Sequence, residues 1–110
     1  LNPEIPINSY SAAHTSTLAE ANTALYHPTT DDNARTFTID SNANVAYPIG
    51  TFLMFINDKN TLTIAITSDT LVLANTAGAT TGSRTLANGG MAVAVKVTST
   101  RWIISGVGLT

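Results

Sequence analysis

The sequence predicts an all-β domain, an antiparallel β-sandwich of jelly-roll type with about seven to eight short strands and an extended N-terminal arm. Three observations predict it. Apolar and hydroxyl side chains alternate with period two from residue 34 onward. Gly, Asn and Pro punctuate these runs at short spacing. Only the window around Leu18 to Leu25 is rich in good helix formers, and Thr, Ser and the His27-Pro28 stop limit it to a short turn.

Taken in order, residues 1–9 (LNPEIPINS) contain two X-Pro steps. These bias Asn2 and Ile5 toward extended backbone and remove two ladder donors, so the segment reads as an arm and residues 10–110 as a single domain. Phe37 and Ile39 face one way and Thr36 and Thr38 the other. Asp40 to Asn44 supplies turn chemistry, and Tyr47-Pro48-Ile49-Gly50 fits a type I turn. Thr51 to Asn57 sets Phe52, Met54 and Ile56 on one side and Leu53 and Phe55 on the other. Thr61 to Thr67 alternates Leu62, Ile64 and Ile66 with Thr, and Thr70 to Ala74 pairs Leu71 with Leu73. The segment 75–83 (NTAGATTGS) is a Gly- and Thr-rich loop, and Asn88-Gly89-Gly90 carries the Asn-Gly signal of a two-residue hairpin. Met91 to Thr98 places Val93 and Val95 on one face and Ala92, Ala94 and Lys96 on the other. The last run, from Arg101, puts Trp102 and Ile104 together. The predicted core is Phe37, Ile39, Phe52, Met54, Ile56, Leu62, Ile64, Ile66, Val93, Val95, Trp102 and Ile104.

At 110 residues the chain is long enough for one compact core. Charged residues are 11% of the sequence, so the exterior is expected to be neutral and hydroxyl-rich. The net charge is -2, and the five cations, Arg35, Lys59, Arg84, Lys96 and Arg101, are scattered singly. No basic stripe is present, and nucleic acid is not an expected partner. The apolar runs are far shorter than a spanning helix needs, so no membrane association is expected and the chain reads as soluble. Cysteine is absent, which removes disulfides and thiolate chemistry. Because initiator methionine is trimmed before small residues, the opening Leu1 leads us to expect further chain upstream.

The segments TFTI…VAYPIGT (residues 36–51), LTIA…DTLVLA (62–74) and VKVTSTRWIISG (95–106) together resemble a β-rich module of tailed-bacteriophage structural proteins, found in tail-fibre, spike, baseplate and particle-surface proteins. The resemblance covers about residues 16–110, and the Lys, Trp and Gly of the closing segment are its characteristic positions. That family often has Pro directly after TI, where this chain has Asp40. The resemblance implies a non-catalytic, virion-borne protein with a commonly trimeric parent. The expected partners are therefore further copies of the chain, other virion proteins and a host surface glycan.

Candidate sites are sparse. Any hydrolytic triad would have to use His14 or His27, and no G-x-S-x-G elbow is present. No catalytic residue and no cofactor are assigned. His27 with Asp31 and Asp32 offers ligand types for a cation, but the spacing matches no dedicated loop and reads as a solvated acidic turn, so no metal is assigned. Trp102 invites a sugar-stacking role, yet its alternation with Ile104 favours the core. Tyr10, Tyr26 and Tyr47 lie in or beside loops and are better placed for exposed contacts. With both faces of 52–56 apolar, something must cover Leu53 and Phe55. These two, with Ile5 and Pro6 of the arm, are the expected subunit-interface residues.

Overall fold

The alternating runs form strands, but the first six are stacked in rungs, and only the last two fold back on one another. The computed structural model describes residues 4–110. Its strands are β1 (Ile7–Ser9), β2 (His14–Thr15), β3 (Thr23–His27), β4 (Arg35–Ile39), β5 (Phe52–Asn57), β6 (Leu62–Ile66), β7 (Thr70–Leu73), β8 (Arg84–Thr98) and β9 (Arg101–Leu109), with one 3₁₀ turn at Leu18–Glu20. With 51% strand and 3% helix the fold is all-β. A radius of gyration of 13.0 Å is that of a compact chain of this length.

β1, β3 and β5 lie side by side in parallel, and so do β2, β4 and β6. The chain thus alternates between two wings, and each pair β1–β2, β3–β4 and β5–β6 is one rung laid on the last. Parallel neighbours need a crossover, and here the crossover from one strand to the next is the strand on the opposite wing. β7 also pairs in parallel, with β9. Antiparallel ladders are made by β8, with β5, β6 and β9. The expected antiparallel arrangement is therefore corrected to a mixed sheet. Alternation within a strand carries no information about its direction, and the links from β1 to β6 join opposite wings, leaving β8–β9 as the hairpin between consecutive strands.

β8 is the hinge of the architecture. Its start pairs with β6 (Leu86↔Leu62) and its later part with β5 (Val95↔Phe52), so one strand borders both wings. Between them the register with β9 shifts, at Leu86/Met91. The Asn88-Gly89 step sits in that shift. Gly89 has φ +82° while Asn88 is not among the residues with positive φ, so the type I′ reversal expected there is not made. The left-handed glycine bends a continuous strand instead. Another turn moves by one residue: Thr51 N–H donates to Pro48 O at 3.1 Å and Gly50 has φ +94°. That is a type II turn over Pro48–Thr51, with glycine where positive φ is required.

The expected arm over residues 1–9 falls partly on residues 1–3, outside the described residues. Its end, Ile7–Ser9, is the edge strand β1, paired with Ala24 to Tyr26. Thr23–His27 is a strand despite its Ala and Leu, because it is pinned between β1 and β5. Backbone pairing on two sides outweighs a propensity difference of a few tenths of a kcal/mol per residue.

The core lies between the wings. Leu25, Leu53, Phe55, Ala94, Trp102 and Ile104 come from one side and Phe37, Ile39, Leu62, Ile64 and Leu86 from the other, all without solvent exposure. Several sequence assignments are reversed. Leu53 and Phe55 are fully buried within a single chain and so are not interface residues. Phe52, Met54, Ile56 and Val93 are only half-buried, and Val95 is 38% exposed. Ile66 is half-buried at the core's margin. The cause is the inner face of β8, where small Ala92 and Ala94 stand opposite Phe55 and Leu53 and make room for them.

Candidate functional site

The reversed alternation turns one apolar face outward. Across β5, β8 and β9, Phe52 aligns with Val95 and Ile103, and Ile56 with Met91 and Val107. Between them lies the row Met54, Val93 and Ser105, continued by Ala24 and Ile7 across β3 and β1. No charged residue stands in these rows. Val107 is 82% exposed, Ile7 57% and Met91 49%, so the described residues leave this face open. Val97, beside the register shift at Lys96/Thr98, extends it. Ile5 and Pro6 are exposed next to its β1 edge.

Three polar clusters occupy the interior. In the first, Glu20 accepts from the Tyr10 hydroxyl, from His14 Nε2 at 2.8 Å and from the Thr17 backbone N–H at 2.9 Å. Tyr10 stacks on His14 at 3.6 Å between centroids. Burial opposes ionisation of Glu20, but the hydrogen bonds from Tyr10, His14 and Thr17 overcome it and lower its pKa. Burial, then the Glu20 hydrogen bond and charge, push Tyr10 up to about 12. The Thr17-x-x-Glu20 spacing is a capping-box signature that could have been read from the sequence, and it places Glu20.

In the second cluster, fully buried His27 bridges Asn57 Oδ1 through Nδ1 and Asp31 Oδ2 through Nε2, both at 2.8 Å. Asn57 Nδ2 donates to the carbonyls of Asn60 and Leu86, which fixes its oxygen toward the imidazole. Arg35 donates to both carboxylate oxygens of Asp31, at 2.8 and 3.0 Å, and Asn33 adds a third donor. These donors, Arg35 first, hold the Asp31 pKa well below the usual carboxylate range. The suggested cation group does not assemble: Asp31 is committed to Arg35, Asn33 and His27, while Asp32 accepts from Asn60. Among the described residues no three His, Asp or Glu side chains converge as ligands. Nor is either imidazole hydrogen-bonded to a serine hydroxyl among the described residues.

The third cluster surrounds Lys96, only 1% exposed. Its Nζ donates to Asn42 Oδ1 at 2.7 Å and to the Tyr47 carbonyl at 2.9 Å. Tyr47 packs edge-on against Trp102, whose Nε1 is buried without a partner. Trp102 and Tyr47 are therefore interior residues and neither faces a ligand. Tyr26 donates to Asp58 at the surface. An open groove of about 390 Å³ runs beside β7, lined by Thr67, Asp69, Thr70, Thr81 and Ser83 with Ile66 and Leu71.

No helix among the described residues is long and apolar enough to cross a membrane. Comparison with protein-family models, curated proteins and solved structures finds no match for this chain.

Proposed function

We propose that this chain is a non-enzymatic structural module of a tailed-bacteriophage virion, of capsid-decoration or fibre type, that assembles with copies of itself. One observation carries the self-assembly: a charge-free apolar sheet face, with half-buried Met54 and Val93 at its centre, that stays open among the described residues. A second copy is the occupant that fits it, because two such faces meet without burying an unpaired charge. The phage assignment and the three-fold count rest on the sequence resemblance. Within this reading the two wings and the core between them stand in for the layered sandwich such modules were expected to have. The interface moves from Leu53 and Phe55 to the opposite side of the same strand, with Ile5 and Pro6 at its edge.

Light scattering coupled to size exclusion tests this. The wild type is expected as a trimer that persists at high salt, because screening weakens charge contacts and spares apolar ones. The double variant Met54→Glu/Val95→Glu is expected to be a folded monomer. A wild type that is monomeric at tens of micromolar would overturn the reading. A polysaccharide-binding tip is the second reading, favoured by the hydroxyl-rich groove beside β7 and the loop 75–83. Sugar binding on a glycan panel, lost in Asp69→Ala, would promote it.

A further inference from the structure

The Lys96 cluster is unusual for a lysine. In this chain of low charge, an amine has been drawn into the interior, where it ends on a side-chain amide with no ion-pair contact. Lys96 lies on the inner face of β8 opposite Trp102, and its Nζ is 5.9 Å from the centre of the Tyr47 ring. Asn42, the amide it touches, belongs to the corner after β4, far away in sequence. Asp69, on the link between β6 and β7, accepts the Asn42 backbone N–H at 2.8 Å. A primary amine and a carboxamide are thus in contact beside two aromatic rings, with a carboxylate held on the backbone N–H of the carboxamide's own residue.

We propose that Lys96 and Asn42 are the two halves of an intramolecular isopeptide cross-link, with Asp69 carrying the proton. The Lys96 Nζ lone pair attacks Asn42 Cγ, and a new N–C bond forms. Asp69 accepts a proton from the attacking nitrogen and returns it to Nδ2, the Cγ–Nδ2 bond breaks, and ammonia leaves. No oxidant, reductant or cofactor enters the balance. Burial lowers the Lys96 pKa, against an opposing influence of the Asp69 charge, and so favours the neutral, nucleophilic amine. Proximity does the rest, since holding two reactants in contact replaces a bimolecular encounter by a unimolecular step. The product amide keeps one N–H, which inherits the bond to the Tyr47 carbonyl. The link would tie the β4–β5 corner to β8. It would serve a chain without cysteine as a disulfide serves others, by shrinking the unfolded ensemble, but without redox sensitivity. The proposal stands apart from the assembly reading, because it concerns the interior of one chain.

Intact-mass spectrometry of the denatured wild type, after incubation at neutral pH, tests it. The expected result is loss of one ammonia, with digestion yielding a branched peptide joining the segments around Asn42 and Lys96. Lys96→Met and Asn42→Ala are expected to show the full mass, and Asp69→Asn to slow the loss at least tenfold. Because Asn88-Gly89 can also lose ammonia by forming a succinimide, the site must be mapped. A full-mass wild type, or a loss mapped to Asn88, overturns the proposal and leaves Lys96 as a hydrogen-bonded prop for the corner.

Discussion

On the inner face of the β5–β8 ladder Leu53 and Phe55 stand opposite Ala94 and Ala92, whereas on the outer face Phe52 and Met54 stand opposite Val95 and Val93. Both faces are apolar, and the outer one carries the bulkier β8 side chains. Yet the inner residues are at most 1% exposed, while Val95 is 38% and Met91 49% exposed. The difference teaches that the interior is chosen by fit and not by hydrophobicity alone. Small residues on β8 let Phe55 and Leu53 from one neighbour and Ile104 from the other share the inner space. A row of valines there would overfill it. The outer face has no such limit, and its large side chains are free to meet another surface.

The contrast can be broken most directly by truncation. Phe55→Ala is expected to cost about 3–5 kcal/mol in denaturant unfolding, as cavities at fully buried aromatics do. Equal losses at Phe55 and at Met54 would dissolve the distinction between the faces. Asn57→Ala comes next. It takes the side-chain partner from the His27 ring nitrogen and from the carbonyls of Asn60 and Leu86, and a loss of about 1–3 kcal/mol in all is expected. Gly106→Ala probes the seam between β8 and β9, because a Cβ there would lie 2.1 Å from the Met91 carbonyl oxygen. Backbone must shift to admit it, and a loss of about 1–3 kcal/mol is expected. Met54→Ala, on the outer face of the dilute chain, is expected to cost only about 1–2 kcal/mol.

Acid and alkali sharpen the same comparison, since Glu20, Asp31 and Tyr10 belong to the interior clusters while the row through Met54 and Val93 carries no titrating group. Glu20 and Asp31 have folded pKa values below their ordinary values of 4.5 and 3.8. Their contribution is present above those ordinary values and is lost as pH falls through the folded ones. Tyr10 has the opposite sign: its contribution holds below the ordinary 10.0 and is lost as pH rises from there toward about 12. Thermal melts across pH should therefore fall at both extremes. Glu20→Gln is expected to flatten its part of the acid limb, and Tyr10→Phe the alkaline one.

Much of the strand map was legible. Phe37 and Ile39 alternate with Thr36 and Thr38, and Leu62 and Ile64 with Thr61 and Thr63, and each of these apolar residues is fully buried. Where one face was polar, parity was readable. It failed at β5 and β8, where apolar residues occupy both sides and only volume matching decides the direction. Stacking was invisible because the rungs differ in length. The link between β3 and β4 carries Asp31, which the buried His27 needs, while the link between β5 and β6 is the short stretch 58–61. No period survives such variation. The inward turn of Lys96 ran against every burial prior for lysine. Its partners, Asn42 and the Tyr47 carbonyl, become neighbours only when the corner closes over β8.

Because β8 runs antiparallel across the last strand of each wing, the rungs have a finished end and an unfinished one. On the finished side the backbone of β5 and β6 is already taken. On the other side β1 and β2 are the outermost strands of their wings. Among the described residues the fold is thus a column with a roof and no floor. A designer wishing to lengthen it would have to add storeys beneath β1, and a storey inserted under the roof would have to break the β5–β8 and β6–β8 ladders first.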